Sequence, residues 1–128
     1  MTTETLLEKP PTIAELRQGI ASGVISAVEL AEQYYARIAA HNPLLNVYLS
    51  LTREQALAQA ASVDHAAANG DPMGPLAGIP IGIKDVLVMQ GAPSTAGSAI
   101  LKNYHPPYDA TAVTKLKAAG AVLLGKIN

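Results

Sequence analysis

The chain has 128 residues and a formal net charge of −1 at pH 7, so it has room for one modest domain and no broad basic surface for nucleic acid. It contains no cysteine, which excludes disulfides and thiolate metal sites and fits a cytoplasmic location. Hydrophobic residues make up 49% of the chain, which is enough for a core, and no segment has the apolar length that spans a bilayer.

The first half of the chain predicts a loose arm followed by three helices and one strand. Residues 1–11 are polar and end in two prolines, so we interpret them as a flexible arm. A serine or threonine followed three residues later by glutamate or glutamine, the pattern of a capping box, then occurs three times. This pattern predicts helices at about residues 13–21, 27–40 and 53–68, which begin after Thr12, Ser26 and Thr52. Pro43 is expected to end the second helix, and residues 46–51 read as a strand.

The second half predicts strand, loop, helix and strand in that order. Residues 79–84 form the first strand, which residues 86–89 could extend, and residues 90–108 are predicted to be loop with one helical turn near residues 99–101. Asp109 is a suitable N-cap for a helix over residues 110–119, which Gly120 would end, and residues 121–124 read as a compact apolar strand. This order is typical of a right-handed α/β crossover between parallel strands.

A single lysine in an apolar run is the main functional candidate. Three isoleucines alternate with Pro80, Gly82 and Lys84, which predicts a strand with one apolar face. An amine on the other face, beside a proline and a glycine, is predicted to be desolvated, which disfavours its charged form. A neutral lysine can act as a base, although a lysine at the end of a buried strand also commonly extends to solvent. Asp85 follows, but neighbours on a strand point to opposite faces, so it is not automatically the partner of Lys84.

Four blocks of the chain, with their spacing, resemble the amidase signature family. The first is Gly-Pro-Leu-Ala-Gly-Ile-Pro-Ile-Gly-Ile-Lys-Asp at residues 74–85, and the others lie at residues 91–98, 106–113 and 117–128. The resemblance covers about residues 12–128 and is strongest to the branch of glutamyl-tRNA(Gln)/aspartyl-tRNA(Asn) amidotransferase A subunits. It implies an α/β fold, the N-terminal part of a mixed sheet flanked by helices, truncated at its C-terminal end.

The resemblance also implies a mechanism. Members of the family use a nucleophilic serine, a second serine preceded by a cis peptide bond that relays the proton, and a lysine as the final base. Lys84 matches that lysine, while both serines and the oxyanion-hole segment would lie beyond Asn128. We therefore interpret residues 12–128 as an incomplete N-terminal portion of an amidase domain, and we expect this chain alone to be inactive.

Other candidate sites in the sequence are weaker. Ser94 and Ser98 could complete a serine–lysine pair, but small polar residues in such a loop are expected to make local backbone hydrogen bonds. Residues 120–127 imitate a phosphate-binding loop but place isoleucine where the motif needs a hydroxyl, so Lys126 is predicted to be an exposed residue at a strand end. The histidines show no metal-ligand spacing, so no bound metal or cofactor is expected.

The leading hypothesis is a fragment of a glutamine-hydrolysing amidotransferase subunit. The resemblance implies two further subunits, of which one uses ATP and magnesium to amidate Glu-tRNA(Gln) or Asp-tRNA(Asn) with the released ammonia. The tRNA would be bound through the complex, and no membrane is involved. The alternatives are a fragment of a stand-alone hydrolase of small amides, or a non-catalytic assembly module whose N-terminal helices dock a partner. In the module, replacement of Lys84 should have no effect.

Overall fold

The computed structural model describes residues 9–128, which form four helices and three strands. Most of the predicted flexible arm therefore lies outside the described residues. The helices are α1 (Ile13–Ala21), α2 (Ala27–Leu45), α3 (Arg53–Asn69) and α4 (Thr111–Ala118). The strands are β1 (Tyr48–Leu51), β2 (Pro80–Lys84) and β3 (Val122–Ile127), and a single 3₁₀ turn covers Ala99–Leu101.

The three strands form a mixed sheet in the order β1-β3-β2. Strand β3 is antiparallel to β1 and parallel to β2. Parallel strands need a crossover connection, and the chain supplies one through the loop and helix α4 that join β2 to β3. The α/β class with a mixed sheet, expected from the sequence, is confirmed.

The local capping signals have mixed outcomes. At the start of α1, the Thr12 side chain accepts a hydrogen bond from the Glu15 N–H, and the Glu15 carboxylate accepts one from the Thr12 N–H at 2.7 Å, so this capping box is confirmed. At the start of α3, the Thr52 side chain makes no cap and instead donates to the Leu123 carbonyl at 2.8 Å. The predicted third box is therefore wrong, because a buried acceptor on β3 competes for the hydroxyl.

Helix α2 has the predicted N-cap, because the Ser26 side chain accepts a hydrogen bond from the Glu29 N–H at 3.2 Å. It is also capped from a distant part of the chain, and it extends past its predicted end. The carboxylate of Asp64, on α3, accepts hydrogen bonds from the N–H groups of Ala27 at 2.6 Å and Val28 at 3.1 Å. Pro43 does not end the helix but lies inside its last turn. Asn46 ends it instead, with a left-handed φ of 52° and an N–H that donates to a helical carbonyl at 2.7 Å.

The end of the chain also differs from the sequence prediction. Asp109 does not cap α4, and its carboxylate instead accepts hydrogen bonds from the Gln90 N–H at 2.8 Å and from Lys117 Nζ at 2.6 Å. Strand β3 continues to Ile127, three residues beyond the predicted end at Leu124. Its pairing with β2 as far as Lys84 explains the extension.

The core lies on both faces of the sheet because successive β3 side chains point to opposite sides. Val122 and Leu124 pack with helices α1, α2 and α3, while Leu123 packs with Val113 of α4 and Met89. The hydroxyl of buried Tyr35 donates to the Leu124 carbonyl at 2.8 Å and joins α2 to the sheet. Strand β3 is therefore the central element of the described fold.

Candidate active site

Lys84 lies at the carboxyl end of β2, where the strand passes into a turn. Its Cα pairs with that of Ile127 on β3, and its carbonyl accepts a hydrogen bond from the Leu87 N–H at 2.9 Å. This turn ends the strand, so the predicted extension over residues 86–89 is wrong. The Lys84 side chain is exposed, which contradicts the desolvation expected from the strand pattern. The described residues anchor the backbone of Lys84 and leave its side chain exposed.

Asp85 turns in the opposite direction and is buried, with 2% of its surface exposed. One carboxylate oxygen accepts a hydrogen bond from Lys126 Nζ at 3.1 Å, and the other accepts from the Thr95 N–H at 3.1 Å and from the Thr95 hydroxyl. Burial raises the pKa of Asp85, but the hydrogen bonds from Thr95 and Lys126 outweigh burial and lower the pKa below its ordinary value. Asp85 is therefore held as a carboxylate, and its partner is Lys126 rather than Lys84.

Lys126 is fully buried, so the prediction of an exposed residue at a strand end is wrong. Its amine donates to Asp85, to Ser94 Oγ at 2.9 Å and, at 3.5 Å, to the Pro93 carbonyl. The error follows from ending β3 too early, because the longer strand carries Lys126 inside the sheet. The signal in the sequence that could have revealed the longer strand is the presence of apolar residues on both sides of the predicted strand end. The strand geometry also excludes a phosphate-binding loop here.

The two serines after β2 play different parts. Ser94 is buried, and its hydroxyl oxygen accepts from the Met89 N–H at 3.2 Å as well as from Lys126. Ser98 accepts from the Ile100 N–H at 3.3 Å at the start of the 3₁₀ turn. The expected local backbone bonds are confirmed for both, while the contact between Ser94 and a buried lysine was missed. Neither serine pairs with Lys84 through the hydrogen bonds that their side chains make in the described structure.

The loop from Pro93 to Gly97 wraps around Asp85. The Ala96 N–H donates to the Asp85 carbonyl at 3.1 Å, and Ala96 adopts a left-handed φ of 49°. This conformation costs roughly 1–2 kcal/mol for a residue with a Cβ. Backbone strain of this kind persists only where surrounding contacts impose it, and it clusters at functional sites.

Within residues 9–128, the structure offers no group of three or more histidine, cysteine, aspartate or glutamate side chains that could hold a metal ion. His41, His65 and His105 are all exposed. None of the helices described in this range combines the length and hydropathy required to cross a membrane.

The mixed sheet, with helices packed on both of its faces and a lysine at the end of its parallel strand, defines an α/β fold. The family described as Amidase matches residues 29–128, and the chain belongs to that family.

Relatives with known names support the same assignment. The chain is 47% identical over 117 residues to the A subunit of glutamyl-tRNA(Gln) amidotransferase from Streptomyces coelicolor, with 91% of this chain and 24% of that protein covered. It is 49% identical over 117 residues to the corresponding protein of Chloroflexus aurantiacus, with the same coverage. Its fold is similar to that of the native peptide amidase from Stenotrophomonas maltophilia, with a TM-score of 0.84 and 36% identity over 91% of this chain and 24% of that one. The chain thus spans about a quarter of the length of the relatives it matches.

Proposed function

We propose that residues 12–128 are the N-terminal portion of the domain of a glutamine-hydrolysing amidase subunit that acts in the cytoplasm, with Lys84 as its base. One observation carries the proposal. Lys84 lies at an anchored strand end with an exposed side chain, in a chain that is 47% identical to a relative named as the A subunit of a glutamyl-tRNA(Gln) amidotransferase.

In the proposed reaction, Lys84 acts as the base and accepts a proton from a relay serine, which takes one from the nucleophilic serine. The serine oxygen attacks the side-chain carbonyl carbon of glutamine, and backbone N–H groups bind the oxyanion of the tetrahedral intermediate. The C–N bond then breaks, ammonia leaves with the proton returned by Lys84, and water hydrolyses the acyl-enzyme. Both serines and the oxyanion-hole groups would come from polypeptide beyond Asn128, so residues 1–128 alone would be inactive.

The proposed product, ammonia, would pass to a second subunit of an amidotransferase complex. That subunit would use ATP and magnesium to amidate Glu-tRNA(Gln) or Asp-tRNA(Asn), and a third small subunit would complete the assembly. This chain itself would bind no cofactor. The names of the relatives support the assignment to such a complex, and the small net charge of −1 agrees with tRNA binding elsewhere in it.

A stand-alone amidase is the second candidate. The observation that favours it is the TM-score of 0.84 with the peptide amidase from Stenotrophomonas maltophilia, because an enzyme of that name contains a segment with a similar fold. The two candidates share the role of Lys84 and differ in the amide that is hydrolysed.

The test begins by sequencing the gene past the codon for Asn128 and expressing the whole reading frame, with any amidotransferase subunits encoded beside it. Ammonia release from glutamine is then measured for the parent protein, Lys84→Arg and Lys115→Arg. Arginine keeps the positive charge but cannot act as a base near neutral pH, so Lys84→Arg isolates loss of the base. Lys115, exposed on α4, is the matched control.

We expect an in-frame continuation that encodes two serines, and glutamine hydrolysis that Lys84→Arg lowers by about 100-fold or more, at the lower end of what a general base contributes. Lys115→Arg should keep the parent rate. A reading frame that stops after Asn128, or a Lys84→Arg variant with parent activity, would overturn the proposal. Hydrolysis of small amides but not of glutamine would select the stand-alone amidase.

A further inference from the structure

Four side chains from three separate segments contact one another next to Lys84. They are Asp85 after β2, Ser94 and Thr95 in the following loop, and Lys126 on β3, and we call them the anchor cluster. Lys126 joins the segments, because its amine contacts Asp85 Oδ1 at 3.1 Å and Ser94 Oγ at 2.9 Å. Thr95 closes the cluster by donating its N–H and its hydroxyl to the other carboxylate oxygen.

The cluster is not arranged as a serine–lysine catalytic pair. Lys126 has no exposed surface, and Ser94 is only 4% exposed, so a substrate could not reach either group without opening the fold. The Ser94 oxygen already accepts a hydrogen bond from the Met89 N–H, and Lys126 is ion-paired with Asp85. A buried charge pair of this kind, fully hydrogen-bonded, is suited to fixing geometry.

The cluster fixes the backbone geometry at Asp85 and therefore at Lys84, the residue before it. The Asp85 N–H donates to the Ile127 carbonyl at 2.8 Å, and the Asp85 carbonyl accepts from the Ala96 N–H at 3.1 Å. Together with the carboxylate contacts, all the polar groups of Asp85 are engaged. Because Lys84 is the preceding residue, any rotation of Asp85 would redirect the Cα–Cβ bond of Lys84.

We infer that the anchor cluster is a positioning device that sets the direction of the Lys84 amine, and this inference rests on the proposed role of Lys84 as base. The cluster members do not contact substrate. They act through the backbone of residues 84 and 85, and the strained φ of Ala96 is part of the same clamp. A misplacement of about 1 Å at a reacting group can cost about 100-fold in rate.

The kinetic test uses the full reading frame and glutamine hydrolysis. Thr95→Val removes the hydroxyl that contacts Asp85 while keeping the shape of the side chain, whereas Thr95→Ser keeps the hydroxyl and serves as the conservative comparison. Lys126→Met removes the central amine. Lys117→Met is the matched control, since it breaks the partly buried ion pair with Asp109 and touches neither Lys84 nor Asp85.

For Thr95→Val and Lys126→Met we expect kcat to fall roughly 10-fold to 100-fold while KM stays within about twofold, as for a misaligned base. Thr95→Ser and Lys117→Met should keep the parent kcat. Melting curves recorded by circular dichroism identify any variant that is unfolded at the assay temperature. Thr95→Val is the milder change, so it decides the question if Lys126→Met does not fold.

The failure of this inference can be told apart from failure of the proposed function. If Lys84→Arg is inactive while folded Thr95→Val keeps the parent kcat, the base remains assigned and the positioning role is overturned. If Lys84→Arg is fully active, the proposed function itself is overturned, whatever the result for Thr95→Val.

A spectroscopic measurement covers the case in which the protein shows no activity. The lysines are reductively methylated with ¹³C-formaldehyde, and the methyl resonances of Lys84 and Lys115 are followed by NMR. Thr95→Val should move the Lys84 resonance and leave that of Lys115, and Thr95→Ser should move neither. A Lys84 resonance unchanged in Thr95→Val overturns the inference without any reference to catalysis.

Discussion

Replacement of Lys126 by methionine should destabilise the fold by about 3–5 kcal/mol, because it leaves the Asp85 carboxylate buried without its cation. At the observed separation of 3.1 Å, the attraction between the two charges is about 5 kcal/mol for an effective dielectric constant of about 20. The charge-assisted bond to Ser94 adds about 1.5–3 kcal/mol. The methionine variant loses both interactions, but it also avoids the several kcal/mol that it costs to bury the Lys126 ammonium. The difference is the stated net loss of stability.

The assay is urea unfolding followed by circular dichroism, applied as a double-mutant cycle with Asp85→Asn. Each single variant leaves one buried polar group without its partner, whereas the double variant removes both charges, so the two effects should not add. We expect a coupling energy above about 2 kcal/mol. The same cycle at the more accessible Asp109–Lys117 pair should give a coupling of about 1 kcal/mol or less. Additive losses at Asp85 and Lys126, or a Lys126→Met cost below about 1 kcal/mol, would refute the reasoning.

Three further outcomes are expected. The folded-state pKa of Asp85 lies below its unfolded value of about 3.9. The Asp85 carboxylate therefore stabilises the fold above that pH, and this stabilisation is lost as the pH falls through the folded pKa. Asp85→Asn should lack this part of the acid-induced loss of stability. Burial raises the pKa of Tyr35 to about 12, so the stabilisation that its neutral hydroxyl provides is present below about pH 10 and is lost between about pH 10 and 12. Tyr35→Phe should be less stable by about 1 kcal/mol at pH 7 and should lose less stability as the pH rises through this range. An alkaline stability curve of the same shape as the parent's would contradict this. Ala96→Gly should raise the free energy of unfolding by about 0.5–1 kcal/mol by relieving the left-handed strain, and a loss of stability in urea unfolding would count against it.

The apolar surface of the sheet gives a last prediction. Leu49 and Leu51 of the edge strand β1 are 40% and 48% exposed, and Leu44 near the end of α2 is 87% exposed. An uncovered apolar face and a free strand edge favour self-association of the isolated chain. Leu49→Thr combined with Leu51→Thr should therefore raise the monomer fraction measured by analytical ultracentrifugation. A parent chain that is already monomeric and melts reversibly would contradict the prediction.

Much of the architecture could be predicted because its signals are local. The Thr12–Glu15 capping box needs only four consecutive residues, and it is confirmed. The alternation over residues 79–84 predicted β2, and Gly120, with a φ of +88°, follows α4 as its sequence position indicated. Each of these features depends on backbone preferences or periodicity that a short segment carries within itself.

The errors fall where a distant partner overrides a local preference. Thr52 was expected to cap α3, but it bonds to Leu123, 71 residues away along the chain. The predicted N-cap of α2, Ser26, is confirmed, but Asp64 adds a second cap that no local pattern indicates. Pro43 was expected to end α2, yet the helix closes at Asn46 instead.

The sequence by itself determined the class of fold, most of the elements and the position of Lys84 within the segment that resembles the amidases. Only the tertiary structure decided that Lys84 is exposed and that Asp85 pairs with Lys126, a residue 41 positions later in the chain. The physical reason is that a charged side chain is normally solvated unless a partner is brought to it, and a sequence pattern does not record which partner the fold supplies. Parallel pairing of β2 with β3 supplies that partner, because it places the ends of both strands side by side.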